Sequence, residues 1–441
     1  MKKPAWLEKL LLDHWLTVQS VSSSLVRFPT GETWKKTPAL LKLRRYLNAK
    51  RALQAVERGQ AKVTTFPTYL TIDPFSACNL RCPLCATGNG SNTLKKGLLQ
   101  VDMFRHIVDE MGTYLYNIDL FNWGEPLLNK DIYEMIAYAH KRHILTSISS
   151  NFHFFDEAAA AKMVNSGLDY LILSIDGATQ ETYEKYRVGG DLEVVLNNVR
   201  TLVETRKRLG KKTPYIFWQF LVFRHNEHEI EQARDLALGL GVDEFKTEYA
   251  YLPFATREEG ERWIPRQEQY TRYSLKELEV IWATKEVEER ERAAREAAEQ
   301  ERMLEERARE ARAANERLRQ ERNGGAATSA MPGRGPGAAL ELLPAKPEPV
   351  VVAAPLRRRL ANCSWLYITT TVNADGKVYP CCVTTQKEDM IGDLKKSDGI
   401  TTLWNSETYQ AARLYSTREI ETGIETVCHR CPLAPAPGQI G

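Results

Sequence analysis

Six short apolar segments alternate with amphipathic helical segments between Tyr69 and Leu252, and this alternation constrains the fold more than any other feature. The apolar segments read TYLTIDP, YLYNIDLFNW, HILTSISSN, DYLILSIDG, YIFWQFLVF and EFKTEYAYL. Strands that alternate with helices usually pair in parallel, because each crossover helix returns the chain to the same end of the sheet. We therefore predict an α/β fold, a partial (β/α)6 TIM-type barrel, with its chemistry at the carboxyl ends of the strands.

The composition of the flanking segments sets the predicted domain boundaries. Residues 1–66 are predicted as a helical segment that packs against the barrel of residues 67–284. Residues 285–322 hold eleven Lys and Arg and twelve Asp and Glu, and they are predicted to form a long solvated helix. Residues 323–356, with five Gly and six Pro, are predicted to be a flexible linker. A small cysteine-rich domain is predicted for residues 357–441.

The N-terminal segment contains two stretches with apolar residues at helical spacing. The first stretch includes Trp6, Leu10 and Trp15, and the second is a basic stretch with leucines at positions that include Leu40 and Leu47. We expect these apolar positions to face the barrel. Peripheral contact with a membrane through a basic amphipathic face is the alternative.

Charge and cysteine content exclude several classes of protein. Sixty basic and fifty-seven acidic residues give a formal net charge of +3, which is too even to indicate a nucleic-acid binder. No run of eighteen apolar residues is present and the N-terminus lacks a signal-peptide cleavage site, so we expect a cytoplasmic protein. Eight cysteines without an export signal indicate metal binding rather than disulfides.

Three cysteines follow the first predicted strand directly. Cys78, Cys82 and Cys85 form a C-x3-C-x2-C motif on one short loop. Three such thiolates can bind three irons of a 4Fe–4S cluster and leave the fourth iron open for another ligand. A zinc site would need a fourth ligand, and the next histidines, His106 and His140, lie on predicted helices. The motif therefore favours a catalytic iron–sulfur cluster, with zinc as the alternative.

From Tyr69 to Leu252 the chain resembles the radical S-adenosylmethionine (radical SAM) superfamily. The resemblance implies that the open iron binds S-adenosylmethionine and that its reductive cleavage yields a 5′-deoxyadenosyl radical, which abstracts a substrate hydrogen. It also implies an electron donor such as flavodoxin or ferredoxin. Two residues depart from the family's pattern. Leu84 stands before the third cysteine, where an aromatic residue is usual, and Trp123 replaces the first glycine of the glycine-rich segment.

Seven further residues fall where this family contacts S-adenosylmethionine: Gly124, Glu125, Pro126, Ser150, Asn151, Ser174 and Arg187. The resemblance implies that the first three bind the methionyl amino group and that the Ser-Asn pair contacts the ribose. It implies that the last two contact the ribose or the carboxylate. An arginine suits the carboxylate because its guanidinium is a fixed fork of donors.

A second group of cysteines follows the predicted linker. Cys363, Cys381, Cys428 and Cys431 place two thiols on a predicted hairpin and two in a C-x2-C motif. Zinc and an iron–sulfur cluster both fit this set of ligands. The spacing of Cys381 from Gly376 resembles the shortened auxiliary-cluster domain, called twitch, of the SPASM/twitch branch of the superfamily. The resemblance implies one auxiliary 4Fe–4S cluster.

Cys382 is left without a predicted partner. Adjacent residues of an extended strand point to opposite faces, so Cys381 and Cys382 cannot easily bind the same cluster. Cys382 is either a buried apolar cysteine or a thiol that returns a hydrogen atom to a substrate radical, which would make the protein an epimerase.

These features predict a radical SAM oxidoreductase that dehydrogenates a small molecule such as a sugar, a cyclitol or a lipid-linked intermediate. The N-terminal segment lacks the strand pattern of the winged-helix module that peptide maturases commonly carry, and this disfavours a peptide substrate. The alternatives are a radical epimerase, a ribosomal-peptide maturase and a non-enzymatic, metal-stabilised scaffold.

Overall fold

The computed structural model describes residues 32–250, 257–271, 274–324, 363–418, 420 and 422–431. The strands are β1 (Tyr69–Ile72), β2 (Asn117–Asp119), β3 (Leu145–Ser150), β4 (Tyr170–Ser174), β5 (Tyr215–Val222), β6 (Glu244–Tyr249), β7 (Thr369–Val372), β8 (Lys377–Tyr379) and β9 (Gly392–Asp393). The first predicted N-terminal helix and residues 325–356 of the predicted linker lie outside the described residues, whereas Asn323 and Gly324 end a helix.

Helices connect the strands and flank the sheet. They are α1 (Glu32–Lys36), α2 (Ala39–Glu57), α3 (Val101–Met111), α4 (Ile132–Lys141), α5 (Glu157–Ser166), α6 (Gln180–Tyr186), α7 (Leu192–Arg208), α8 (Ile230–Leu240), α9 (Arg257–Trp263), α10 (Leu275–Gly324), α11 (Trp365–Ile368), α12 (Ile400–Leu403) and α13 (Glu407–Arg418). None of the described helices is long and apolar enough to cross a membrane.

The first six strands form the predicted barrel segment. They lie side by side in the order of the chain, and every neighbouring pair is parallel. Their carboxyl ends therefore meet at one edge of the sheet, which is where TIM-type barrels carry their active sites. The structure confirms the predicted partial barrel.

Alternate strand residues separate a buried apolar face from a mixed one. One face is buried against the crossover helices and carries residues such as Leu70, Ile148 and Trp218. The other face, which we call the inner face, has the apolar residues Leu145, Ile172 and Phe217 beside a set of polar ones: Thr71, Asp119, Ser147, Ser149, Ser174, Gln219, Lys246 and Glu248. Across this face Asn117 and Ser147 donate hydrogen bonds to Asp119, and the Ser149 and Ser174 hydroxyls lie 3.1 Å apart. The inner face thus offers polar groups that could contact a cofactor or substrate at the catalytic edge.

The C-terminal cysteine-rich segment extends the same sheet. The predicted hairpin is present, because β7 and β8 pair antiparallel around a turn in which Gly376 has φ +88°. The sequence does not predict the next step, in which β7 pairs in parallel with β1 from Tyr69↔Thr369 to Ile72↔Val372. The strand that precedes the first cysteine loop and the hairpin that precedes Cys381 are therefore neighbours.

The second predicted N-terminal helix, α2, packs through a different face from the one expected. Leu40 and Leu47 are exposed, whereas Arg45 and Asn48 are buried. Partners explain this reversal, because Arg45 donates to the carbonyls of His143 and Gly112, and Asn48 exchanges two hydrogen bonds with Phe66. Buried polar groups are tolerated when they are hydrogen-bonded. The leucine spacing therefore predicts the helix but not its buried side.

The charged helix α10 begins at Leu275, ten residues before the predicted start. All side chains from 292 to 318 are exposed, as a solvated helix requires. Glu291 and Arg295 form an ion pair of 3.5 Å in the acid-first i,i+4 order. From Glu279 to Gly324 the helix belongs to a compact unit of its own, separate from the barrel and the C-terminal segment.

Arg413 on α13 joins separate segments around the C-terminal domain. Its fully buried guanidinium donates to the carbonyl oxygens of Leu366, Ala61 and Trp404 at 2.9, 3.0 and 2.9 Å. It also lies 4.6 Å from the centre of the Trp404 ring. Burial lowers the pKa of Arg413 to about 10, so the side chain stays charged at neutral pH.

We predict that Arg413→Leu lowers the free energy of unfolding by about 3 kcal/mol or more, because three buried carbonyl groups lose their donor. The measurement is the urea unfolding midpoint of the purified protein. Arg200→Leu is the matched control, since Arg200 is exposed and bonds only to its neighbour Asn197 among the described contacts. Equal midpoints for the two variants would contradict the role given to Arg413.

Candidate cofactor site

The loop of the first three cysteines lies at the carboxyl edge of the sheet, directly after β1. Cys82 is buried, and Cys78 and Cys85 are partly buried. Backbone contacts shape the loop, because the amide of Leu80 lies 3.4 Å from Cys78 Sγ and the amide of Cys85 donates to the Cys82 carbonyl at 3.1 Å. A loop of this kind can present three thiols to one cofactor.

The pKa values of the loop thiols indicate that a bound cluster, rather than the protein alone, would ionise its cysteine ligands. Burial, and to a smaller extent the other thiols, raise the pKa of Cys78 and raise that of Cys82 to about 12. Without iron these thiols are therefore protonated at neutral pH, and binding to iron releases their protons.

The ligand requirements of a cluster differ from those of a single metal ion. Within the described ranges no three His, Cys, Asp or Glu side chains converge closely enough to hold one metal ion. A 4Fe–4S cube binds each thiolate at a different iron, so its three ligands need not converge on one point.

The Gly124-Glu125 segment packs directly against the cysteine loop. A Cβ atom on Gly124 would lie 1.5 Å from the Phe75 carbonyl oxygen, so only glycine fits there. The amide of Glu125 donates to the Ala77 carbonyl at 2.9 Å. Pro126 follows as the first residue of a short 3-10 turn. This segment therefore lies beside the residues that precede Cys78.

Glu125 and Ser150 form one buried hydrogen-bond network. The Glu125 carboxylate accepts bonds from the Ser150 hydroxyl at 2.7 Å, the Asn151 amide at 2.9 Å and the Leu127 amide at 3.0 Å. Burial raises the pKa of Glu125, and these donors oppose the rise. The Ser150 oxygen also accepts the Phe152 amide, and Ser150 is buried. Glu125 and Ser150 thus join the segments that follow β2 and β3.

Asn151 links the end of β3 to the cysteine loop. Its amide nitrogen donates to Asn79 at 2.8 Å and lies 3.6 Å from Cys78 Sγ. The uncharged side-chain amide of Asn151 is therefore a donor to Cys78, one of the thiols that would bind the cluster.

Arg187 reaches the same loop from the end of α6. Its Nε donates to Asp176 at 2.6 Å, and its Nη1 lies 3.9 Å from Cys82 Sγ. Ser174, by contrast, lies on the inner face and bonds to Ser149. Of the residues predicted from the sequence, Asn151 and Arg187 are therefore the two whose side chains contact the cysteine thiols.

Sequence reasoning missed two buried carboxylates. Asp176 is fully buried and holds Arg187, and it also accepts the Leu221 amide at 2.6 Å. Asp119 ends β2 on the inner face, and burial raises its pKa to about 6. Both are acidic residues at the carboxyl end of an apolar strand, and that pattern could have revealed them.

The predicted auxiliary cysteines lie in one region of the structure. The charges of Cys363 and Cys431 act on both Cys381 and Cys428. Burial is the larger cause and raises the pKa of all three that shift, to about 11 for Cys363. Four partly buried thiols that act on one another in this way fit a four-cysteine cluster.

Cys382 lies near both Asp119 and the auxiliary cysteines. Burial, followed by the charges of Asp119 and Cys363, raises its pKa to about 12, and its own charge acts on Cys381. The expectation that strand alternation points Cys381 and Cys382 to opposite faces is wrong in its premise, because β8 ends at Tyr379 and the two cysteines lie in the turn that follows.

Two family models match the chain. The radical SAM superfamily matches residues 72–237, and the iron-sulfur cluster-binding SPASM domain matches residues 363–432. These ranges contain the first cysteine loop and the second cysteine group respectively.

Three curated relatives share part of the sequence. The AdoMet-dependent heme synthase of Methanosarcina barkeri is 26% identical over 41% of this chain and 50% of its own. The mycofactocin maturase MftC of Mycobacterium ulcerans is 27% identical over 39% of this chain and 44% of its own. The PqqA peptide cyclase of Granulibacter bethesdensis is 27% identical over 40% and 45%. The chain thus spans half or less of these relatives.

A solved structure shares the fold. Streptococcus suis SuiB bound to S-adenosylmethionine superposes with a TM-score of 0.50 at 14% identity, over 94% of this chain and 80% of SuiB. The family matches confirm the resemblance inferred from the cysteine spacing, together with its cofactors, S-adenosylmethionine and 4Fe–4S clusters. The chain therefore carries a radical SAM domain followed by a C-terminal SPASM domain.

Proposed function

We propose that this enzyme modifies a precursor peptide by radical chemistry. The observation that carries the proposal is that relatives with comparable identity are named as a mycofactocin maturase and a PqqA peptide cyclase. This favours the peptide-maturase alternative over the small-molecule substrate predicted from the sequence. The absence of a strand pattern in residues 1–66 is a weaker argument, because it concerns one type of binding module only.

The inner face offers groups that suit a peptide. Ser149, Ser174 and Gln219 carry hydroxyl and amide groups, which can exchange hydrogen bonds with the amide groups of a peptide backbone. Ile172 and Phe217 on the same face can contact apolar side chains of such a substrate.

We assign the first cluster to Cys78, Cys82 and Cys85. When bound there, the cluster and S-adenosylmethionine supply the 5′-deoxyadenosyl radical. The chain's own part is to orient them: Gly124 allows the backbone to approach the loop, and Asn151 and Arg187 direct donors to the thiols. We place S-adenosylmethionine beside Ser174 and Pro126, as the resemblance implies.

We assign the auxiliary cluster to Cys363, Cys381, Cys428 and Cys431, as a single 4Fe–4S cluster that supplies an electron acceptor. Dehydrogenation of a substrate radical requires loss of one electron and one proton. Asp119 can take that proton, because a carboxylate with a pKa of about 6 is ionised at neutral pH and still basic. Flavodoxin or ferredoxin is the proposed source of the reducing electron.

The epimerase alternative depends on Cys382 as the hydrogen donor. Its thiol lies near the inner face, beside Asp119, where it could return a hydrogen atom to a substrate radical. Epimerisation leaves the mass of the peptide unchanged but exchanges a carbon-bound hydrogen with solvent.

The peptide proposal is tested by co-expression with each short reading frame that neighbours the gene. We expect one of these peptides to lose the mass of two hydrogen atoms and to gain no deuterium at carbon in heavy water. Unchanged mass with deuterium at carbon would favour the epimerase. Unmodified peptides together with turnover of an added iron porphyrin would contradict the proposed substrate class.

The auxiliary assignment predicts how iron content responds to cysteine substitutions. Cys428→Ala/Cys431→Ala should lose about half of the iron, if two cubes of equal size are present, and should still cleave S-adenosylmethionine. Cys382→Ala is the matched control and should keep all of its iron. The measurement is iron per chain after anaerobic reconstitution. If Cys382→Ala lost as much iron as the double variant, Cys382 would be a ligand of the auxiliary cluster and the assignment would be wrong.

A further inference from the structure

A buried ion pair lies beside Cys82, one of the proposed ligands of the radical SAM cluster. Arg187 exposes 14% of its side chain and Asp176 exposes none, and they are joined by a bond of 2.6 Å. The other end of the guanidinium lies 3.9 Å from Cys82 Sγ. The rigid plane of the guanidinium thus connects the carboxylate to the thiol.

The surroundings keep this guanidinium in place. Asp176 is itself held by the Leu221 amide, and Asn226 donates to the Asp176 carbonyl at 3.0 Å. On the other side, the amide of Arg81 donates to the carbonyl of Val188 at 3.0 Å, which fastens the cysteine loop to the segment that carries Arg187. The cation cannot move away from Cys82 without breaking these contacts.

A fixed positive charge on a cluster ligand affects the electron affinity of the cluster. Reduction adds one negative charge, and hydrogen bonds and charges at the sulfur ligands are among the factors that set the potential. A buried charge is screened much less than an exposed one. The opposing influence of Asp176 on Cys82 is weaker than that of Arg187.

We propose that Arg187, positioned by Asp176, raises the reduction potential of the radical SAM cluster through its permanent charge on Cys82. The inference rests on the assignment of Cys82 as a cluster ligand. It is independent of any contact between Arg187 and S-adenosylmethionine, and of the identity of the substrate.

The test is a reductive titration of the reconstituted holoenzyme without S-adenosylmethionine, followed by electron paramagnetic resonance. The radical cluster is recognised because its signal changes when S-adenosylmethionine is added to a parallel sample. Arg187→Met should reduce the equilibrium constant for reduction about tenfold, which is a potential lower by about 59 mV for a one-electron couple. Arg187→Lys keeps the charge and should retain most of the wild-type potential.

Two further variants make the result decisive. Asp176→Asn/Arg187→Met removes both charges, leaves no unpaired buried carboxylate, and should also lower the potential. Lys185→Met is the control, because Lys185 lies two residues away but is exposed and paired with Glu181. Wild-type potentials in both Arg187→Met and the double variant would overturn the inference. A wild-type enzyme without any signal that responds to S-adenosylmethionine would instead remove the assignment of Cys82 on which the inference rests.

Discussion

The parallel pairing of β7 with β1 is the interaction on which the arrangement of the two cysteine groups depends. The four paired positions, from Tyr69↔Thr369 to Ile72↔Val372, join segments 300 residues apart. Because the first cysteine loop follows β1 and Cys381 follows the hairpin of β7 and β8, this one pairing brings both groups to neighbouring strands. The C-terminal segment is therefore a continuation of the barrel sheet. Arg413 stabilises this segment through its hydrogen bonds to backbone carbonyl groups.

The cysteine loop is held by residues from separate strand ends. Glu125 follows β2, Asn151 follows β3, and Arg187 is held by Asp176, which follows β4. Each contributes hydrogen bonds or charge where the loop would otherwise be a flexible connection. A loop braced in this way is preorganised, so its thiols do not have to be ordered when the cofactor binds.

Much of this architecture follows from local patterns in the sequence. The six barrel strands and the hairpin at Gly376 are predictable because apolar periodicity and turn residues act over a few positions. The grouping of Cys363 with Cys381 is predictable from cluster chemistry. The pairing of β7 with β1 is not, since nothing local to either strand specifies a partner 300 residues away.

The polar interior is the part that sequence patterns describe least. The exposed leucines of α2 and its buried Arg45 reverse the amphipathic expectation, because the carbonyls that accept from Arg45 come from distant segments. The bond between Ser150 and Glu125 joins two strand ends through buried polar groups that no apolar pattern marks. Asp176, which holds Arg187 against the cysteine loop, is marked in the sequence only by its place at the carboxyl end of an apolar strand.

The central claim is that the loop after β1 holds the cluster that cleaves S-adenosylmethionine, and it is tested most directly by removing its thiols. The measurement is 5′-deoxyadenosine formed with dithionite by the anaerobically reconstituted variant Cys78→Ala/Cys82→Ala/Cys85→Ala, together with its iron content. The account predicts no 5′-deoxyadenosine and about half of the wild-type iron, held by the auxiliary cysteines. Cleavage of S-adenosylmethionine by this variant at the wild-type rate would contradict the account.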